Sequence, residues 1–421
     1  MRLLDAAALF LLAAPAFAQE KLSMEEAVRR AVLRSVTSIV AEQEIVRAQG
    51  ILQEDRALSL PTIALNGTYT RFDRDRVLSA GTGATGPTTS RDQLSANAVV
   101  TVPLVAPQRW LIWSHAGDQV DVARLSAEDA RRQVAVLTAR LYLGVMAQHR
   151  LVQIDGQARD AAKAHLDDAH ARYEVGSGNR LDEVRAGQEL ATDESSLALA
   201  RSNLVRAMEA LGSLVGEEGP VDVEDDLVLP EPQSEARAME DAQSLRPDVR
   251  AQKERAEAAR RVLRDSYADY LPLLQGVVQP FYQHPATAVT PETGWQASLV
   301  LSIPLFDGGA RYGLRRERSA LYQESRAQLE GLLRQARSDV RTAFDAVRRA
   351  DESVRSAREA ARLAHEALDM TMLAYREGAT NDLEVVDAQR RARDADTAGL
   401  VAEDTARQAR VDLLAATGRF R

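Results

Sequence analysis

The stretch YEVG at Tyr173–Gly176 returns as YREG at Tyr375–Gly378, and this pair of tetrapeptides decides the fold. Their glycines are 202 residues apart (378 − 176). All 14 prolines lie outside the windows 108–219 and 305–421, in which these tetrapeptides are the main interruptions. Each tetrapeptide lies between a proline–leucine pair upstream and a glycine 40 residues downstream, namely Pro103-Leu104 with Gly216, and Pro304-Leu305 with Gly418. This spacing predicts a tandem duplication of about 200 residues, each copy a β-hairpin followed by a very long helical hairpin.

The N-terminus has the pattern of a secretory signal at 1–18. Arg2 supplies the positive charge, Ala6–Ala14 the short apolar core, and Ala16-Phe17-Ala18 the cleavage site. We therefore expect an exported protein. Because the chain contains no cysteine, we expect neither a disulfide framework nor a lipoprotein anchor.

Composition narrows the class further. The net charge of −9 argues against a nucleic-acid partner. Beyond residue 20 there is no apolar run near 18 residues, so no transmembrane helix is expected. Aromatic residues make up only 5% of the chain and alanine is abundant, which favours thin, closely packed helices over one thick core.

The proline-free windows predict helices from Trp110 to Val175 and from Ala310 to Glu377, each about 100 Å long. Heptad spacing predicts an apolar seam on the last helix and another on its partner, formed by Ala388, Ala392, Ala395, Gly399, Ala402, Ala406, Ala409 and Leu413, and by Ala336, Val340, Ala343, Val347, Ala350, Val354, Ala357, Ala361, Ala364 and Leu368. Subtracting 202 gives the first-copy seam, in which Asp193 is the only polar break. The counterpart on the first long helix is less regular and is predicted to face water or another subunit; it comprises Val134, Thr138, Leu141, Val145, Gln148 and Asp155.

Period-two alternation predicts four strands, at about 61–72, 93–104, 272–282 and 295–306, with loops around 79–87 and 283–294. Strands of about ten residues with one apolar face suit a membrane β-barrel. Four strands cannot close a barrel, so a membrane location requires oligomerisation, and three copies supply twelve strands. The alternative is a small soluble sheet that caps a coiled coil.

Two motifs resemble the TolC family of outer-membrane efflux proteins. SIPLFDGG at Ser302–Gly309 resembles the family's strand-to-helix turn, and YREG at Tyr375–Gly378 followed by LEVVDAQ at Leu383–Gln389 resembles its periplasmic hairpin tip. The likeness covers nearly the whole chain after the signal. The first copy has VAPQ at Val105–Gln108 in place of FDGG, so its turn is built differently.

The resemblance implies a mainly helical fold with a β membrane part, in which a homotrimer joins a twelve-stranded outer-membrane β-barrel to a periplasmic α-helical barrel. The implied domains are a first repeat at 19–216 with its helical hairpin at 110–216, an equatorial connector at 217–247, and a second repeat at 248–421 with its hairpin at 310–418. The implied partners are a periplasmic adaptor (membrane fusion) protein, an inner-membrane transporter and outer-membrane lipid. The implied function is the exit channel of a tripartite efflux or type I secretion system, without a cofactor.

The resemblance also implies a gate at the tips, where Glu384 and Asp387 match the family's inward-facing acidic positions. Repeated threefold, these carboxylates would form a cation-attracting ring. The other reading is an ordinary acidic helix N-terminus, which the helix dipole stabilises. Tyr375 and Asp182 match positions that hold neighbouring hairpins shut by a hydrogen bond, whereas Thr380 stands where the family has a basic residue. Gly176 and Gly378 are expected to form the tip turns that dock the adaptor.

No catalytic pattern competes with the channel. The six histidines are scattered, and the chain has no zinc motif, phosphate loop or nucleophile elbow, so enzyme activity is not expected. The alternative function from another class is a periplasmic coiled-coil adaptor or scaffold without a pore. The alternating strands discriminate against it, because an adaptor has no use for a lipid-compatible band.

Overall fold

A computed structural model describes residues 21–75, 90–225, 230, 233–286 and 290–420. The predicted signal at 1–18 and the loop around 79–87 lie outside these residues. The chain divides into two compact units, one formed by Met1–Ile39, Ala130–Arg246 and Gln335–Arg421, and the other by Val40–Asp129 and Pro247–Arg334.

The second unit contains one antiparallel sheet with strand order β1-β2-β3-β4. Its strands are β1 Thr62–Arg71, β2 Asp92–Val105, β3 Leu273–His284 and β4 Thr293–Ser302. The last strand is shorter than the predicted 295–306 and ends before Pro304, which lacks the N–H needed to donate to a neighbouring strand.

The register places most apolar residues of the four strands on one face, while Val99, Val277, Phe281 and Val300 lie on the other. Directly paired residues share a face of a sheet, and the pairs include Ile63–Val100, Val100–Val278 and Gly276–Leu299. Many apolar side chains on this face are exposed, among them Leu65 at 81% and Trp295 at 74%. The opposite face carries polar cross-strand hydrogen bonds, from Asn66 Nδ2 to Asn97 Oδ1 (3.0 Å) and from Gln296 Nε2 to Gln279 Oε1 (2.8 Å).

Four helices account for both hairpins. They are α3 Pro107–Glu174 and α4 Arg180–Val215 in the first copy, and α7 Ala310–Arg376 and α8 Asp382–Thr417 in the second. The longer two have 68 and 67 residues and the shorter two have 36 each. The first long helix starts at Pro107, three residues before the predicted Trp110, because proline fits the first helical turn, where no N–H is required. No helix in the described ranges carries an apolar stretch long enough to cross a membrane.

Shorter elements complete the chain. They are α1 Met24–Arg34, α2 Val36–Ala57, α5 Glu235–Ser244, α6 Pro247–Arg264 and a short 3-10 helix at Asp265–Tyr270. The predicted connector at 217–247 therefore contains a helix, α5. Before this helix, Val223 of the connector forms a parallel β-bridge with Leu22 of the N-terminal segment.

The α7–α8 seam is packed as predicted. Seven residues of the seam form one core cluster together with Ala238 and Ala242 of α5; they are Val340, Ala343, Val347 and Ala350 of α7 and Ala406, Ala409 and Leu413 of α8. Small side chains let the two helices approach closely.

The prediction that the irregular α3 side faces water or another subunit is wrong for Val134–Val145. Val134, Thr138 and Val145 are at most 4% exposed. Val134 and Val145 belong to the largest core cluster, together with Tyr142 and, from the N-terminal segment and the connector, Leu22 and Val223. The Tyr142 hydroxyl lies 3.0 Å from the carbonyl of Leu22 and 2.8 Å from that of Glu224, and burial raises the pKa of Tyr142 to about 12. Heptad analysis of two helices missed this core because the covering segments come from elsewhere in the chain.

Candidate functional site at the hairpin tips

Each hairpin turns at a glycine in the left-handed region. Gly176 has φ of 75° and Gly378 has φ of 72°, a conformation that costs other residues free energy. The returning helix then begins at an asparagine cap. Asn179 Oδ1 accepts from Leu181 N at 3.1 Å, and Asn381 Oδ1 accepts from Glu384 N at 3.1 Å.

Exposed ion pairs join the two helices of the first tip. His170 Nδ1 of α3 lies 2.9 Å from Glu183 Oε1 of α4, and Arg180 also pairs with Glu183. The hydrogen bond with Glu183 raises the pKa of His170, and the same bond lowers the pKa of Glu183. These contacts stay within the α3–α4 hairpin.

The second tip is linked to the first hairpin by a buried pair. His165 Nε2 of α3 lies 2.7 Å from Asp382 Oδ1 at the start of α8. His165 is 8% exposed and Asp382 is 2% exposed, and the second oxygen of Asp382 has no hydrogen-bond partner among the described residues. Losing either partner would leave the other buried and unpaired, which is costly.

Tyr375 packs on this pair. Its ring centroid lies 5.8 Å from that of His165, and the guanidinium of Arg172 lies 4.4 Å from its ring centroid. Burial raises the pKa of Tyr375. The charge of Arg172 lowers this pKa, and the charges of Asp382 and Asp182 raise it. Within the described residues of the protomer, Tyr375 and Asp182 form no hydrogen bond, and Asp182 Oδ1 instead lies 4.0 Å from Arg185 Nη1.

The predicted acidic pair lies on the first turns of α8. Glu384 is exposed, while Asp387 is half-buried and its Oδ2 lies 2.8 Å from Arg391 Nη2. Arg391 therefore offsets part of the charge that Asp387 contributes, whereas no ion pair of Glu384 is found in the described part of the chain.

Farther along the same helices, two arginines of α8 pair with buried acids of α4. Arg390 Nε lies 2.8 Å from Glu189 Oε2, and Arg393 contacts Asp193. Glu189 and Asp193 are 3% and 4% exposed, and burial raises the pKa of Asp193 against the opposing effect of Arg393.

Sequence reasoning missed these links between α4 and α8. One signal was available, because Asp193 is the only polar break in its seam. The buried histidine link at His165 had no such signal, since nothing in the local pattern shows that Asp382 packs against it.

The chain belongs to the outer membrane efflux protein family, whose pattern it matches over residues 18–217 and 238–419.

Solved structures with this fold include the outer membrane protein VceC of Vibrio cholerae. The two are 19% identical, with a TM-score of 0.79, over 94% of this chain and 96% of that one. A membrane protein of Pseudomonas aeruginosa is 20% identical with a TM-score of 0.81, over 94% of this chain and 90% of that one. The open-state MtrE channel of Neisseria gonorrhoeae is 18% identical with a TM-score of 0.76, over 94% of this chain and 88% of that one.

A relative in sequence is the fusaric acid resistance protein FusA of Burkholderia cepacia, 26% identical over 243 residues. The match covers 52% of this chain, and the chain spans 45% of that relative's length.

Membership of the family confirms the predicted fold class and the outer-membrane location. The predicted class of function, an outer-membrane efflux channel, is that of the family. The family is one of transport channels, whose members work as trimers with adaptor and inner-membrane pump partners.

Proposed function

We propose that three copies of this chain form an exit duct that receives substrates from an inner-membrane transporter through a periplasmic adaptor and releases them outside the cell. The observation that carries the proposal is the sheet. One face is mostly apolar and the other mostly polar, and within the described residues β1 and β4 pair with a strand on one side only.

Open edges are not tolerated in lipid, because unpaired backbone groups cost several kcal/mol each there, on the order of a lost hydrogen bond in hydrocarbon. Pairing β4 of one copy with β1 of the next removes every edge. Three copies give about twelve strands, within the range of outer-membrane barrels. The exposed apolar face then meets lipid, and the asparagine and glutamine pairs face the lumen.

A cross-linking experiment tests this assembly, because the chain contains no cysteine to interfere. Thr68→Cys and Ser298→Cys place thiols near the middle of β1 and β4, on the polar face. A short bismaleimide should give covalent trimers from the double variant, and mass measurement in mild detergent should give three protomers. Thr68→Cys with Val277→Cys is the matched control, since β2 separates β1 from β3. A stable monomer with folded strands would end the proposal.

We assign the gate to Glu384, Asp387, Asp182 and Tyr375. Threefold repetition would bring the acidic side chains near the axis, where like charges attract cations. Since Arg391 pairs with Asp387, exposed Glu384 is the stronger contributor. Tyr375 anchors α7 against α3 through His165 and Arg172, which supports its role as a latch.

We assign adaptor docking to the tips at Gly176 and Gly378. Apolar side chains stand exposed around both turns, among them Val175 at 79% and Leu383 at 53%. Gly176→Val and Gly378→Val should weaken adaptor binding more than trimer stability, because a β-branched residue disfavours positive φ. Gly331→Val is the control, since Gly331 lies inside α7 without positive φ and a Cβ at that position meets no atom within 4 Å. Equal loss of docking and trimer stability at the tips would place these glycines in a structural role.

The first substrate to test is fusaric acid, since it appears in the name of the relative described above. Cells lacking their own efflux channels should gain resistance to fusaric acid when this chain is expressed with an inner-membrane transporter and periplasmic adaptor. If sensitivity to fusaric acid is unchanged while resistance to another compound is gained, the exit duct remains supported and fusaric acid is ruled out as its substrate.

A further inference from the structure

A cavity of about 180 Å³ lies between α3, α4, α7 and α8, within the unit that holds both tips. One part of its wall is apolar and comes from three of these helices; it comprises Ile154, Ala158, Ala161, Leu368 and Ala392. The cavity shares Ile154, Gln157, His365 and Asp396 with an adjoining depression, which gives a ligand a route of entry.

The remaining wall carries more acids than arginines. Glu189, Asp193 and Asp396 face Arg390 and Arg393. Both arginines are already paired with acids of α4, and Asp396 is hydrogen-bonded at 2.9 Å to His365, which is charged only when protonated. The lining therefore has a surplus of negative charge when His365 is neutral.

Two polar groups in and beside this wall lack partners among the described residues. Gln389 Oε1 is buried and accepts no hydrogen bond. Asp155, next to Ile154 on α3, is 8% exposed and forms no hydrogen bond or ion pair in the described part of the chain. Burial raises the pKa of Asp155 against the opposing charge of Arg393, and the charge of Asp155 in turn raises the pKa of Asp193. A buried acceptor without a donor costs free energy that a bound donor recovers.

We propose that this cavity binds a small organic monocation, a primary ammonium group on an apolar body about the size of a benzene ring. A protein cavity of about 150 Å³ with apolar walls is large enough for benzene. An ammonium has three donors, which can serve Gln389 Oε1 and the neighbouring carboxylates, and charge-assisted bonds of this kind are strong. All of the lining residues belong to one protomer, and none of them is one of the proposed gate residues.

Isothermal titration of the full-length assembled protein with benzylammonium tests the proposal. We expect saturable binding at one site per protomer, with benzyl alcohol and benzoate each at least about tenfold weaker, because the first lacks the charge and the second reverses it. Equal affinity for benzyl alcohol would show a merely apolar cavity and overturn the assignment of a cation. Absence of saturable benzylammonium binding would overturn the site.

Two variants distinguish the contribution of the Gln389 acceptor from that of the apolar cavity volume. Gln389→Leu removes the unpaired acceptor at similar size, so folding should be preserved while benzylammonium affinity falls about tenfold and benzyl alcohol affinity does not. Ala158→Leu fills the apolar part and should weaken both ligands. Ala164→Leu, an exposed position on the same helix outside the lining, is the control and should bind as the parent chain does. Unchanged benzylammonium affinity in both cavity variants would refute the proposal, whatever the channel activity.

Discussion

The two hairpin tips share one sequence frame and differ in what they bury. With the offset of 202, the caps Asn179 and Asn381 correspond, and so do Arg180 and Asp382. In the first tip Arg180 is exposed and pairs with Glu183 of its own helix. In the second, Asp382 is nearly inaccessible and pairs with His165 of the other hairpin.

The two tyrosines differ in the same way. Tyr173 is 43% exposed and contacts Arg180, whereas Tyr375 is half-buried between His165 and Arg172. The residue after the cap therefore pairs within its own helix in the first copy and with the other hairpin in the second. The same turn can thus be linked to the other hairpin or not, and the difference lies in the residue that follows the asparagine cap, Arg180 or Asp382.

Removing the buried anchor should have the largest effect. Asp382→Ala leaves His165 buried without its partner, and loss of one member of a buried pair costs about 3 kcal/mol. Hydrogen exchange of the backbone amides in 375–386 should become much faster. Arg180→Ala, at the corresponding position of the first tip, should leave exchange near 173–184 unchanged. If the two variants accelerate amide exchange equally, each at its own tip, the proposed difference between the buried second tip and the exposed first tip is wrong.

Removing the acidic pair should come next. In planar bilayers, Glu384→Ala with Asp387→Ala should lose cation selectivity and the block by multivalent cations at the periplasmic entrance. Asp167→Ala, which removes one exposed carboxylate of α3 near the first tip, should change neither property. If the double variant keeps the selectivity and block of the parent chain, these carboxylates lie outside the tunnel.

Removing single hydroxyl groups should have a smaller effect. Tyr375→Phe should raise conductance modestly, because a single hydrogen bond from its hydroxyl to the hairpin of a neighbouring protomer would contribute only about 1 kcal/mol per subunit. Tyr173→Phe should leave conductance unchanged, since that ring is exposed. A larger change in conductance for Tyr173→Phe would assign the latch to Tyr173 in the first tip instead of Tyr375 in the second.

The pH response of the first tip should be the smallest effect. The raised pKa of His170 means that its contribution to stability is complete below the ordinary value of 6.5 and is lost as pH rises through the folded-state pKa. The lowered pKa of Glu183 means that its contribution is complete above the ordinary value of 4.5 and is lost as pH falls through the folded-state pKa.

The His170–Glu183 contact is therefore strongest between those two folded-state values. After correction for intrinsic exchange, amides in 170–183 should be less protected at about pH 8.5 than at about pH 5.5. His170→Gln should abolish that difference. A difference that persists in this variant would assign the pH response to another group.

The sequence by itself determined the duplication, the helical hairpins and their glycine turns, the α7–α8 seam and the alternation of the strands. These features are encoded by periodicity and by turn chemistry, which act between residues close in the chain. The acidic positions of the gate were also available from the sequence, through a motif resemblance, and their role stays a prediction.

Only the tertiary structure decided which polar residues are buried. Asp382 and Glu384 read alike as acids in the first turn of a helix, yet one is inaccessible and the other exposed. The side of α3 predicted to face water or another subunit became core around Val134–Val145 because Leu22 and Val223 cover it. Burial depends on which distant segment packs across a side chain, and local periodicity carries no information about that partner.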